Sequence, residues 1–79
     1  MQLPIINLNG TDRDDLLKDY LTAKRALEDG LKALSAVWPH GRDYQTGGDV
    51  QQAMREHADR CKVVRQVIAE IDTIAESLV

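Results

Sequence analysis

The side chains with the widest chemical range lie in one stretch of the chain and on the helical segment that follows it. The stretch reads Trp38-Pro39-His40-Gly41-Arg42-Asp43-Tyr44-Gln45-Thr46-Gly47-Gly48, and His57 and Arg60 come after it. A connection between two antiparallel helices needs only a few polar residues. Because binding residues gather in loops that a rigid scaffold positions, we expect the function to reside here.

His57 occupies a helical stripe whose other positions near the loop are apolar. Its imidazole is expected either to bind a ligand or pair with Asp43, or to be a packed residue satisfied by a backbone carbonyl or a tyrosine hydroxyl. His57 and Cys61 are four residues apart and form half of a zinc site. A tetrahedral site needs four ligands at defined spacing, and His40 and Asp43 do not complete such a pattern. We predict no metal and no cofactor.

Arg42 follows a glycine in the loop, which leaves its guanidinium free to hold a phosphate or a carboxylate at two points. The alternative is an ion pair with Asp43 or Glu56 that ties down the loop. Trp38 and Tyr44 are candidates for stacking on a nucleobase or for closing the end of the core, and the core role is favoured for Trp38.

Two amphipathic helices position this loop, since apolar side chains recur at spacings of three and four. The first run contains Leu16, Tyr20, Ala23, Leu27, Gly30, Leu34 and Val37; the second contains Val50, Met54, His57, Cys61, Val64, Ile68, Ile71, Ala75 and Leu78. Thr11 is predicted to cap the first helix and Pro39 to end it. Asp49 or Thr46 caps the second. The predicted helices span about 12–38 and 50–78, with loop 39–49.

The predicted fold is all-α: an antiparallel helical hairpin, residues 11–79, preceded by a short extended arm, residues 1–10. The arm is expected to pack on a neighbouring helix or to pair with the arm of a second copy. Counting turns from the loop places Trp38 near Val50 and Leu34 near Met54. The same count places Leu31 near His57 and Leu27 near Cys61. Each helix carries more apolar surface than one partner helix covers, so we expect a homo-oligomeric helical bundle, most simply a dimer.

Composition narrows the classes of function. The 79 residues suffice for one domain, and the formal net charge of −3 does not suit neutralisation of duplex nucleic acid. A single cysteine and the lack of a long apolar segment predict a cytoplasmic protein without a membrane partner. No nucleophile with a base and an oxyanion donor is recognisable, and the acidic residues lack the paired pattern of helical nucleotide pyrophosphatases. We therefore expect no enzymatic activity.

The loop motif supports a resemblance. Pro39-His40-Gly41-Arg42-Asp43-Tyr44, followed by Ala53, Glu56-His57 and Arg60, resembles a pattern in small uncharacterised proteins of tailed bacteriophages, over most of the chain after Asn9-Gly10-Thr11. A looser similarity is to the phage anti-CBASS sponges, compact helical oligomers with a Pro-x-Gly-Arg-Glu turn that sequester cyclic nucleotide signals. Pro39, Gly41 and Arg42 match that turn, and Asp43 stands in for the glutamate.

The sponge family continues with Lys-Ser where this chain has Tyr44-Gln45, so its phosphate-binding basic residue is missing and its nucleotide specificity does not carry over. Phage sponges against ADP-ribose signals are similar in size and also act by sequestering the signal. The resemblance implies a phage anti-defence protein that sequesters a small nucleotide immune signal without catalysis. Its ligand-binding residues would be Trp38, His40, Arg42, Asp43, Tyr44, His57 and Arg60. The alternative is a structural or host-protein-binding hairpin without a small-molecule ligand.

Overall fold

The computed structural model describes residues 1–6, 12–44 and 47–79, and these residues form two long helices. Helix α1 spans Arg13–Ser35 and helix α2 spans Val50–Ser77, with a single 3₁₀ turn, Gly41–Tyr44, in the connection between them. No strand occurs among the described residues. The all-α class and the two-helix hairpin are therefore confirmed. The predicted cap Thr11 lies outside the described residues, as do residues 7–10 of the arm.

Helix α1 ends three residues before the predicted Trp38. Asp14 and Asp15 lie in its first turn, where carboxylates complement the helix dipole. At the other end the amide of Ala36 donates to the carbonyls of Lys32 and Ala33, at 3.3 and 3.2 Å. This tightening of the last turn is common where a helix stops. Proline disfavours the helical conformation of the residue before it, so Pro39 keeps Trp38 out of the helix and the chain leaves the helical path earlier still.

Helix α2 begins as predicted, at Val50, after the cap residue Asp49. The Asp49 carboxylate accepts a hydrogen bond from the amide of Gln52 at 3.0 Å, which satisfies one of the free donors of the first turn. Thr46, the alternative cap, lies outside the described residues. The helix ends at Ser77.

The register of the hairpin differs from the predicted one by about two helical turns. Ser35 contacts Cys61 at 3.9 Å, and Lys24 pairs with Asp72. Trp38, predicted to lie near Val50, packs instead on His57. The prediction that Leu31 opposes His57 and Leu27 opposes Cys61 is wrong.

The shift accompanies the early end of α1 at Ser35, because the connection begins at residue 36 and not at the predicted residue 39. Residues 36–49 form a longer link than predicted, and its 3₁₀ turn packs against α2. The first two turns of α2 therefore face the connection instead of α1.

The core between the helices is thin. The buried side chains of the described residues are His57, Cys61, Ala75 and Leu78, and no large side chain is fully buried. The molecule measures 61 × 21 × 17 Å, which is one layer of two helices. Stable domains bury the apolar sides of their elements against a further layer, so a single layer leaves both of its faces uncovered.

Residues 1–6 have no regular secondary structure, and their apolar side chains are largely in solvent. Ile5 is 84% exposed, whereas Pro4 is half-buried. Within the single chain, the described part of the arm, residues 1–6, therefore shows no close docking on a helix. Neither described helix is apolar over enough length to cross a membrane.

Candidate functional site

A cleft of about 490 Å³ opens at the loop end of the hairpin. Helix α1, the connection and the first three turns of α2 each supply part of its wall. The lining residues are Leu34, Val37, Trp38, Pro39, Asp43, Tyr44, Gly48, Asp49, Gln52, Ala53, Glu56, His57 and Arg60. Its volume lies within the range of pockets that hold small molecules.

The cleft brings together five of the seven residues that the sequence singled out as ligand-binding: Trp38, Asp43, Tyr44, His57 and Arg60. Arg42 and His40 do not line it. The Arg42 amide and Nε lie 3.4 and 3.5 Å from Nδ1 of His40, so the two side chains meet on the outer side of the 3₁₀ turn. Among the described residues Arg42 makes no ion pair with Asp43 or Glu56.

The turn that carries Asp43 and Tyr44 is held by a close approach of the backbone. The Asp43 amide donates to the carbonyl of His40 at 3.0 Å. A β-carbon at Gly48 would lie 3.0 Å from Cβ of Tyr44, so only glycine fits without a shift. Gly47 has a φ of 72°, a left-handed conformation that side chains other than glycine adopt rarely. The glycine pair therefore lets the chain pass close to Tyr44 on its way into α2.

His57 forms the inner wall of the cleft. The residue is 3% exposed, and its Nε2 lies 3.8 Å from the Cys61 thiol one turn further along the helix. Trp38 packs on the imidazole in an edge-to-face arrangement, with ring centroids 5.1 Å apart and an angle of 85° between the planes. A sulfur contact of this length is weak. Neither of the predicted alternatives, a pair with Asp43 or a bond to a tyrosine hydroxyl, is found among the described residues.

The two aromatic side chains of the loop are open to solvent. Trp38 is 52% exposed and Tyr44 is 37% exposed. The prediction that Trp38 closes the end of the core is wrong, because α1 stops before it and the residue sits on the rim of the cleft with one edge on His57. Its remaining surface is free to stack on a flat ligand.

Carboxylates outnumber cations in the cleft. Asp43, Asp49 and Glu56 line it, whereas Arg60 is its only guanidinium. Arg60 lies 3.5 Å from Glu56, and Gln52 donates to the other carboxylate oxygen of Glu56 at 2.9 Å. Asp49 is engaged as the cap of α2. The cleft therefore offers more acceptors than donors and suits a ligand that brings N–H groups.

Sequence reasoning missed Gln52 as a wall residue and gave Glu56 only a structural part. Gln52, Glu56 and Arg60 are spaced four apart, so they form one row along the helix that begins at the cap Asp49. The four-residue spacing and the position of the cap would have been enough to predict that these side chains lie in one row. No three metal-binding side chains cluster within the part of the chain that the structure describes, so His57 and Cys61 stay an isolated pair.

Comparison with known proteins gave no matching family model, no matching curated protein and no matching solved structure.

Proposed function

We propose that the protein is a non-catalytic binding protein that sequesters a small nucleotide, with the nucleobase in the loop-end cleft. The observation that supports this is the convergence of Trp38, Tyr44, His57 and Arg60 on one cavity of small-molecule size. The exposed aromatic rings supply a surface on which a base can stack. The phage anti-defence role and the cytoplasm of a host cell follow from the resemblance of the loop and form part of the proposal.

The charges of the cleft determine which end of the nucleotide enters it. Asp43 and Glu56 can accept hydrogen bonds from amino and imino groups of a base. The same carboxylates repel phosphate, so the phosphates are placed outside the cleft, toward the outer side of the 3₁₀ turn. Arg42 and His40 lie there together. Arg42 would then hold the phosphate at two points.

Calorimetric titration tests this proposal with cyclic dinucleotides, cyclic ADP-ribose isomers and ADP-ribose, each beside its parent nucleoside. We expect Arg42→Ala to weaken nucleotide binding by about 1.5–3 kcal/mol, the value of a charge-assisted hydrogen bond, and to leave nucleoside binding unchanged. Trp38→Ala should weaken the binding of both the nucleotide and the nucleoside. Arg25→Ala is the matched control, because Arg25 is an exposed arginine of α1 away from the cleft.

Two results count against the proposal. If none of the nucleotides binds the unmodified protein, nucleotide sequestration fails. If Arg42→Ala loses helicity by circular dichroism along with binding, Arg42 is a structural residue and the phosphate position assigned to it is wrong.

A second candidate is a structural or host-protein-binding hairpin without a small-molecule ligand. It is favoured by the exposed apolar side chains near the cleft, among which Val37 is 68% exposed. A protein that binds no nucleotide would favour this candidate, and nucleotide binding that depends on Trp38 and Arg42 would argue against it.

A further inference from the structure

One face of the hairpin carries apolar side chains that no other part of the described chain covers. On α2, Arg60, Val63 and Val67 are spaced three and four apart, so they lie on the same side of the helix. Val63 is 56% and Val67 40% exposed. On α1 the same alternation of three and four joins four exposed small residues and a valine: Ala23, Ala26, Gly30, Ala33 and Val37.

The two rows lie on the same side of the hairpin. Val37, at the end of the α1 row, and Arg60, at the start of the α2 row, line the same cleft. We call the surface formed by the five residues of the α1 row with Arg60, Val63 and Val67 of α2 the valine face. Cys61, which contacts Ser35, is turned by more than about 100° around α2 from Val63 and Val67. Asp72 lies on the same side of α2 as Cys61, so the Lys24–Asp72 ion pair is on the opposite side of the hairpin from the valine face.

The surface area indicates how much of the molecule a partner must cover. The chain exposes 6210 Å². A compact folded monomer of 8.8 kDa exposes about 4,800 Å². The excess of about 1,400 Å² per chain would give a buried area of about 2,800 Å² for a pair, within the range of obligate homodimers. The exposed arm contributes to this excess together with the valine face.

We propose that a second copy of this chain docks on the valine face. The face is self-complementary, because a twofold axis places the large side chains of one α2 row against the small residues of the other chain's α1 row. Valines then insert between alanines and glycine as knobs into holes, at the spacing of three and four typical of helix bundles. A β-carbon at Gly30 would meet nothing within 4 Å, so that space is open to a partner.

The dimer would also border the cleft, because Val37 and Arg60 belong to both surfaces. The partner's helix then lies next to Trp38 and restricts access to the cavity from that side. This proposal does not depend on nucleotide binding, so a dimer without a nucleotide ligand and a nucleotide-binding monomer are distinguishable results.

The test is the oligomeric state of the full chain by sedimentation velocity at micromolar concentration. The unmodified protein is expected at twice the 8.8 kDa chain mass. Val67→Glu should raise the dimer dissociation constant by about 100-fold or more, because it buries a charge in the interface between the two chains. Ala69→Glu adds the same charge at an exposed position of α2 that is turned by more than about 100° from both Val63 and Val67, so it should leave the dimer intact.

A second variant separates docking from folding. Gly30→Leu fills the hole on α1, while leucine favours the helix more than glycine does. We expect a helical protein by circular dichroism with a weakened dimer. An unmodified protein that sediments as a monomer overturns the proposal. A dimer that withstands Val67→Glu and Gly30→Leu as well as it does Ala69→Glu also overturns it, since its interface would then lie elsewhere.

Discussion

The two ends of the helical seam are built from different side chains. At the open end Ala75 and Leu78 are each 3% exposed, and Lys24 forms a 2.6 Å hydrogen bond with Asp72 across the helices. At the loop end the polar contacts of the seam are sulfur contacts of 3.8 and 3.9 Å that join Cys61 to His57 and Ser35. The open end thus has the stronger polar contact between the helices, whereas the loop end keeps polar groups weakly bonded beside a cleft.

Because of this difference, we expect the open end to contribute mainly to stability and the loop end mainly to binding. A weakly bonded imidazole retains the capacity to bond a ligand, whereas a tightly packed leucine contributes only apolar burial. Substitutions at the open end should therefore change the free energy of unfolding and leave the cleft intact. Substitutions at the loop end should change affinity more than stability.

The largest effect on stability is expected for Leu78→Ala at the open end. Truncation of a buried leucine removes apolar contacts and leaves a cavity, at a cost of about 2 kcal/mol, the lower end of the usual range, because the core between two helices is thin. In a domain of this size that corresponds to a fall in Tm of roughly 10 °C. Thermal unfolding at a fixed protein concentration measures it.

Val79→Ala is the matched control for that experiment. Val79 follows Leu78 directly and is 93% exposed, so its truncation should leave Tm unchanged. An equal loss of stability in both variants would show that the end of the chain matters as a whole and that burial of Leu78 does not.

His57→Leu is expected to have a smaller effect on stability and a large one on binding. The change removes a weak sulfur contact and the edge-to-face contact with Trp38 but restores an apolar side chain in the seam, so the free energy of unfolding should change by less than about 1.5 kcal/mol. Nucleotide affinity should fall strongly, because the inner wall of the cleft loses its polar group.

Cys61→Ala provides the comparison for His57→Leu, since it removes the same sulfur contact without changing the cleft wall. A His57→Leu protein that is strongly destabilised but binds as the unmodified protein does would place His57 among the structural residues. In that case the contrast between the two ends of the seam would not hold.

The sequence predicted the helices well and their register poorly. Spacings of three and four defined the apolar stripes, and Asp49 was one of the two predicted caps of α2 because a side-chain acceptor before a helix has a direct physical role. The register depends on where α1 ends and on the packing of the 3₁₀ turn on α2. That packing is a tertiary contact, which no local pattern encodes.

The candidate site was predictable to a similar degree. Asp43, Tyr44 and His57 were selected for their chemistry, and all three line the cleft. Arg42 was selected on the same basis but is directed outward, because adjacent residues of a 3₁₀ turn point to different sides. Trp38 was misassigned to the core, since the early end of α1 could not be read from the position of Pro39 alone.

The smallest expected effect concerns Lys24, whose ion pair with Asp72 closes the open end of the seam. The hydrogen bond to Asp72 raises the pKa of Lys24 above its ordinary value of 10.5. A raised pKa means that the folded state holds the proton more tightly, so the pair contributes to stability below pH 10.5 and loses its contribution as the pH rises through the folded pKa. Both side chains are partly exposed, and such pairs contribute little.

Lys24→Met should therefore lower Tm slightly at neutral pH, and its difference from the unmodified protein should vanish in strong alkali. Lys32→Met, at an exposed lysine of the same helix that forms no ion pair with the described residues, is the matched control. A difference that persists unchanged in alkali would mean that the Lys24 methylenes, and not its charge, hold the open end.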